Sequence, residues 1–366
     1  MSASTAGQPQ MTTLTIAGDR TGLGRLVIII CAVLTVVSAL ASLALGAAGM
    51  SVADVLHVLQ TGMFGDRATL SPAAAAIVLD IRLPRVCMAL AVGAALALSG
   101  AMMQGLFRNP LADPGLVGVS SGAALAAVTI IVLGAHLAPV LPEFLMRHLL
   151  PFGAFAGAMA STALIYRLST VDGRTSIATM LLIGIALGAL AGAITGILTF
   201  ISDDQQLRQL TFWSMGGLSG ATWGKLLAVL PLMLPAFLAA PFLAKALNRM
   251  AMGESEAFHL GVSVQWMKRI CILIIAAAVG SAVSVSGTIG FVGLVAPHLI
   301  RTLIGPDHRS LLPAAALFGA ALLAAADLVA RTIVAPAELP IGILTAIIGA
   351  PFFLYLLMGR RKMGLM

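Results

Sequence analysis

Charge is distributed so sparsely along this chain that the gaps constrain the fold more than any motif does. No Asp, Glu, Lys or Arg occurs in 26–53, 86–107, 114–142, 148–166, 175–202, 226–244, 270–300, 310–326 or 339–359. A bilayer's hydrocarbon core is about 30 Å thick, which a helix of about 20 apolar residues crosses. Backbone polar groups in lipid must be satisfied internally, so such runs form helices or a closed barrel. These runs are continuous rather than alternating with period two, which excludes the barrel. With 60% hydrophobic and 10% charged residues over 366 positions, the chain reads as an all-α polytopic membrane protein.

The run 270–300 is too long for one crossing: as a single helix it would extend roughly 46 Å. It contains Gly280, Ser284, Ser286, Gly287, Gly290, Gly293 and Pro297. Splitting it near Ser284–Gly287 gives two crossings, the second short, and a total of about ten. Ten crossings with a cytoplasmic N-terminus put fourteen of the 21 Lys and Arg residues inside, as the positive-inside rule requires. Nine crossings would place Arg360, Arg361 and Lys362 outside. The expected organisation is a polar, disordered cytoplasmic segment 1–23, one membrane domain of ten helices over 24–359 and a basic cytoplasmic tail 360–366. The net charge of +7 follows from the inside loops and calls for no nucleic acid. Cys31, Cys87 and Cys271 fall within spans without metal spacing, as buried small side chains do.

The segment 82–122 carries the most local information. Arg82 and Arg85 flank Pro84, a charge-free span follows, and Asn109-Pro110-Leu111-Ala112-Asp113-Pro114-Gly115 breaks the chain before the next run. This reads as a rigid basic corner at the outer mouth and a structured turn at the inner one. No G-x-x-x-x-G-K-[ST] phosphate loop is present in the chain, so ATP binding by that route is not expected. Mid-span carboxylates or histidines, which ion-driven carriers and membrane enzymes use, are also missing. The six histidines show no ligand spacing, and no metal site is expected.

Three further constellations stand out. Gly184, Gly188, Gly192 and Gly196 recur every four residues, a smooth stripe suited to close packing or to lining a pathway. Gly153 and Gly157 repeat the pattern, with packing as the default. Gly253, Glu254, Glu256, Ala257, His259, Leu260 and Gly261 fall in the cytoplasmic loop 249–264, as an ordinary solvated turn of helix or one that docks a soluble partner; acids at the start and a glycine at the end suit a short helix. Ser202 to Leu210 leads into Phe212 and Trp213, with Trp223 beyond; tryptophans commonly anchor such segments at the interface. Asp327 and Arg331, spaced i, i+4, form a plausible local pair.

Taken together, these segments resemble the FecCD-type permeases of bacterial ABC importers for ferric siderophores, haem and cobalamin. The resemblance is carried by Arg82-Leu83-Pro84-Arg85, Ser99 to Gln104, Asn109 to Gly115, Gly287 to His298, Asp307-His308-Arg309 and Glu338-Leu339-Pro340-Ile341-Gly342. It implies the type II importer permease fold and a homodimer with the pathway at its interface. It implies two ATP-binding subunits on the cytoplasmic side, which hold the ATP, and a periplasmic binding protein above, in the bacterial inner membrane. By the family pattern, Arg82, Arg85 and Arg331 would meet acidic residues of the binding protein. The 253–261 segment would be the coupling helix, and the Gly184–Gly196 helix, with Phe212 and Trp213, would line the pathway. Asp204 to Trp213 looks like the haem-importing branch, which makes haem the expected cargo ahead of ferric siderophores and cobalamin. An ion-coupled secondary transporter is the alternative from another class.

Overall fold

A computed structural model describes residues 20–46, 50–65, 69–134 and 142–362. Helix α1 (Thr21–Ala44) is followed by α2 (Val52–Phe64), which starts at a capping box between Ser51 and Asp54. The next helix is continuous from α3 (Pro72–Ala75) through a π-helical stretch, Ala76–Arg82, into α4 (Leu83–Leu106). Then come α5 (Val119–Leu133), α6 (Glu143–Leu168) and a hairpin of β1 (Thr170–Val171) and β2 (Arg174–Thr175). Helices α7 (Ile177–Phe200), α8 (Asp204–Met215), α9 (Trp223–Met250) and α10 (Glu254–His259) follow. The chain closes with α11 (Val264–Ser286), α12 (Val292–Ile304), α13 (His308–Thr332) and α14 (Ile341–Lys362).

Among the described residues, seven helices are long and apolar enough to span a bilayer, and α5, α12 and Ile341–Tyr355 of α14 are shorter apolar helices. That makes ten apolar helices, the number read from the charge gaps. The split of 270–300 falls at Gly287–Phe291, where Gly287 and Phe291 both take positive φ (66° and 67°). At 1.5 Å per residue the 13-residue α12 extends about 20 Å, shorter than a hydrocarbon core of about 30 Å.

Two local readings need correction. The 26–53 gap is not one span: α1 stops at Ala44, and Ser51 opens α2 by accepting the Asp54 N–H while Asp54 accepts from Ser51 in return. The pattern Ser-x-x-Asp was legible in the sequence. The Arg82-Leu83-Pro84-Arg85 segment is not a corner either; the helix runs straight through it. Proline in a helix interior normally clashes with the preceding turn and strands a carbonyl. Here the preceding turn is widened: the Leu83 N–H reaches Val78 O, so the carbonyl that Pro84 would have bonded is that of Leu79. Trp223 fills the gap, its Nε1–H donating to Leu79 O at 2.9 Å. α1 begins at Thr21 and α14 runs to Lys362, so residues 21–23 and 360–362 are helical; 1–19 and 363–366 lie outside the described residues.

α4 is the hub, packed against α9, α11, α12 and α13, with Met88, Ala89, Val92, Ala95, Ala97 and Ala101 fully enclosed. In lipid the hydrophobic effect does not drive helix association, and close backbone approach through small residues substitutes for it. A Cβ on Gly100 would lie 2.6 Å from the carbonyl carbon of Gly293 and 2.9 Å from its Cα. Gly93 meets Gly319 in the same manner, its added Cβ 2.8 Å from Leu323 Cβ, and Gly122 meets Gly157. Gly153 faces the Ile130 side chain, so the packing expected of Gly153 and Gly157 is what they do. The longer stripe divides: Gly184 is buried within the subunit, which removes it from the expected pathway-lining set. Gly192 and Gly196 have nothing within 4 Å, and Gly188 only Ser121 Oγ at 4.0 Å. Their surface is left open by this chain, and packing within the subunit is not their role.

Candidate functional sites at the two membrane faces

At the end of the bundle where α1, α4 and α13 meet, three arginines and two carboxylates form one network. Arg82 is only 6% exposed; its Nη1 donates to Leu43 O at 2.8 Å and Ala44 O at 3.2 Å. Arg331 Nη2 donates to Ser42 O and, at 3.1 Å, to Ser42 Oγ. The last carbonyls of a helix have no intrahelical donors and carry partial negative charge, so two guanidinium groups cap the end of α1. Arg331 also lies 3.7 Å from the Asp327 carboxylate, the i, i+4 pair expected from spacing.

Arg85 does something else. Its Nε donates to Asp327 Oδ1 at 3.0 Å and its Nη2 to the same oxygen at 2.9 Å. On the other edge, Nη1 and Nη2 donate to Glu338 Oε1 and Oε2 at 2.8 and 3.1 Å. The planar fork thus joins a fully buried carboxylate to one whose side chain is 40% exposed, a bidentate use that lysine could not replace. Three guanidinium groups against two carboxylates leave the cluster one positive charge in excess. Of the three arginines read as a docking set, Arg82 and Arg331 are therefore turned inward, and Arg85 is the one joined to an exposed partner. Glu338 belongs to the motif read from the sequence, but its pairing with Arg85 was not anticipated.

Beside Arg85 lies a cavity of about 350 Å³ bordered by Phe212, Gly216–Ser219 and Glu338–Ile341. Gly216 of its lining belongs to a glycine junction. Gly216 (φ 71°) ends α8, Gly287 (φ 66°) ends α11 and Gly342 opens α14. A Cβ on Gly287 would sit 3.2 Å from Gly216 Cα, and one on Gly342 3.1 Å from both the Met215 carbonyl carbon and Thr288 O. The backbone is satisfied locally: Gly217 N–H donates to Ser286 O at 2.7 Å, and the Thr288 hydroxyl to Ser214 O. Irregular backbone at membrane depth persists where it is buried in protein or lines a cavity. Phe212 is 64% exposed, whereas Trp213 is half-buried against the core.

At the opposite end, α10 projects as a short platform. Glu254 binds Lys268 Nζ at 2.7 Å, and Lys268, itself buried, also donates to Thr175 O at 3.0 Å. The Gln265 side-chain Oε1 accepts the Thr175 N–H at 3.0 Å. Glu254 thus ties α10 to α11 and to the β hairpin, and Ala257 is buried beneath it. Gly253 (φ 137°) and Gly261 (φ 84°) take backbone conformations that suit glycine. The outward face consists of Met252, Phe258 and Leu260, 66%, 68% and 48% exposed, with Glu256 and His259 beside them. Phe258 lies within the 253–261 segment that the resemblance makes the coupling helix, and its exposure is visible only in the fold.

The FecCD transport family profile matches residues 34–359, nearly all of the described bundle. The chain belongs to the FecCD transport family. Among its FecCD relatives, the hemin transport system permease protein HmuU of Yersinia pestis is 54% identical over 284 residues, covering 78% of this chain and 84% of that protein. The cobalamin import system permease protein BtuC of Halobacterium salinarum is 45% identical over 284 residues, covering 78% and 74%. A solved metal-chelate type ABC transporter in an inward-facing conformation aligns with TM-score 0.73 and 32% identity, over 92% of this chain and 99% of that one. The FecCD motif residues acquire physical roles from the geometry above. Gly100 and Gly293 form the α4–α12 crossing, Pro84 with Trp223 the widened turn, and Glu338 to Gly342 the entry to α14. Arg108 (φ 50°) closes α4, and Asp113 Oδ1 accepts the Gly115 N–H at 2.7 Å in the turn that follows.

Proposed function

We propose that this chain is the permease subunit of an ATP-driven ABC importer that moves haem from the periplasm to the cytoplasm. The carrying observation is the 54% identity to a hemin permease, set against 45% for a cobalamin permease. Two copies would pack around a central pathway in the bacterial inner membrane, with both termini cytoplasmic. The open end of the α7 glycine stripe, Gly192 and Gly196, and the exposed Phe212 on α8 support placing that pathway on this side of the subunit. Two ATP-binding subunits would dock at the opposite end on α10, where Phe258 and Leu260 offer apolar contact. The ATP sits on those subunits, and this chain holds no cofactor of its own. A periplasmic haem-binding protein would dock at the Arg85 end.

Alternating access follows from these parts. Movement of α10 is carried through the Glu254–Lys268 tie to α11, whose far end is the Gly287 junction with α8 and α14. The subunit therefore links the nucleotide-driven face to the Gly287–Phe291 break through one helix. The deciding experiment reconstitutes the permease with its ATP-binding subunit and its binding protein in liposomes, offering hemin, a ferric siderophore and cobalamin in competition. ATP-dependent hemin uptake supports the assignment. Preferential cobalamin uptake would move the chain to that branch, and proton-driven uptake without ATP would overturn the reading.

A further inference from the structure

Arg85 is bound on both edges, but the two partners differ in what holds them. Asp327 is fixed within α13 and fully buried. Glu338 is 40% exposed and belongs to the segment between α13 and α14. That segment carries few internal ties: Ala337 N–H donates to Val334 O at 3.0 Å and Leu339 N–H to Ala330 O at 2.9 Å, while Ile333 and Val334 are 64% and 45% exposed. Three residues beyond Leu339, Gly342 enters the glycine junction.

We propose that Glu338 is an internal stand-in for an acidic side chain of the docking protein. It occupies the outward edge of the Arg85 fork while nothing is docked, and a partner carboxylate displaces it. The proposal rests on the function proposed above, and deepens it by naming what docking must break.

Carboxylate for carboxylate is a balanced exchange: Arg85 keeps two bidentate-capable partners throughout, and Asp327 keeps its guanidinium. The outward pair is partly in water, where such pairs are weak, so a partner can compete for it. The inner pair is dry, and breaking it would strand a buried charge. Arg82 and Arg331 stay engaged with the end of α1, so Arg85 alone has an exchangeable edge. The excess positive charge of the cluster attracts the incoming acid over a distance of about 8 to 10 Å at ordinary salt. Release of Glu338 unpins the 333–340 segment, whose continuation is the start of α14 against Met215 and Thr288. Docking is thereby converted into freedom at the junction that borders the Arg85 cavity.

The test uses the permease with its ATP-binding subunit in nanodiscs and the hemin-loaded binding protein of the same importer. Docking affinity is measured by interferometry for wild type, Glu338→Ala, Glu338→Gln, Arg85→Gln and the Arg85→Gln/Glu338→Ala pair. Removing the competitor should tighten docking about two- to fivefold, and the gain should vanish in the Arg85→Gln background. Hydrogen exchange at 334–341 should rise on docking in wild type and be already raised in undocked Glu338→Ala. Docking unchanged or weakened in both Glu338 variants, or protection of 334–341 on docking, overturns the stand-in role. If wild type captures no hemin-loaded binding protein, the proposed function fails first and takes this inference with it.

Discussion

Gly100→Ala is the sharpest test of how this bundle holds together. A methyl at Gly100 would overlap the Gly293 carbonyl oxygen and stand 2.6 Å from its carbon, where ordinary contact begins at 3.4 Å. The two backbones must therefore separate by at least 0.8 Å along that line. Neither can yield alone. α4 is held on its other faces by α9, α11 and α13, with Gly93 against Gly319, and Gly293 lies at the start of α12, two residues after the positive-φ residue Phe291. Overpacking a tight core costs about 1–3 kcal/mol, and rigid backbone on both sides puts this site at the upper end. Thermal unfolding of the purified complex in detergent, followed by size-exclusion, should show a clear loss of stability for Gly100→Ala. Gly192→Ala is the matched control: nothing lies within 4 Å of it, so the subunit should unfold as wild type does. Equal stability of Gly100→Ala and wild type would refute the argument that these backbone contacts hold α12 in place.

Other perturbations isolate single links. Trp223→Phe should destabilise by about 1–3 kcal/mol by stranding the Leu79 carbonyl; Pro84→Ala supplies an N–H to that turn and should recover most of the loss, read as a double-mutant cycle in thermal unfolding. Asp327→Asn removes the charge between Arg85 and Arg331 and should cost about 3–5 kcal/mol, the penalty of an uncompensated buried charge, measured in the same assay. Phe258→Ser should leave permease folding intact but lower the substrate-stimulated ATPase rate of the reconstituted importer; an unchanged rate would remove Phe258 from the docking face. Burial raises the Asp113 carboxyl above its ordinary range, against the opposing Gly115 N–H. A raised folded pKa means stability present at low pH is lost as pH rises through it. Asp113→Asn, which keeps an acceptor for Gly115, should therefore stabilise at pH 7 and make little difference near pH 4.

What could be read from the sequence was local. Cost of inserting a residue into hydrocarbon depends on that residue and its near neighbours, so charge gaps revealed the apolar helices, and helix length forced the break in 270–300. Helix signals such as Ser51-x-x-Asp54, and Asp203-x-x-Gln206, which forms the same reciprocal cap at the start of α8, act over three residues and are equally legible. The i, i+4 pair Asp327–Arg331 could be read for the same reason.

Partners far apart in the chain could not. Arg82 finds its carbonyls 39 positions away and Arg85 its carboxylates 242 and 253 positions away; nothing in the local pattern distinguishes an arginine that caps a helix end from one that faces a docking protein. Trp223 reads as an interfacial anchor until Leu79 is placed beside it. Two glycine stripes of the same spacing diverge because Gly153 and Gly157 both meet α5, whereas Gly184 is buried and Gly192 and Gly196 meet nothing within 4 Å in the subunit. The sequence by itself determined that the chain crosses a membrane about ten times and where each crossing begins to be apolar, since those energies are summed residue by residue. Tertiary structure alone decided which arginine keeps an exchangeable edge and which glycines touch, because those depend on how the helices are brought together.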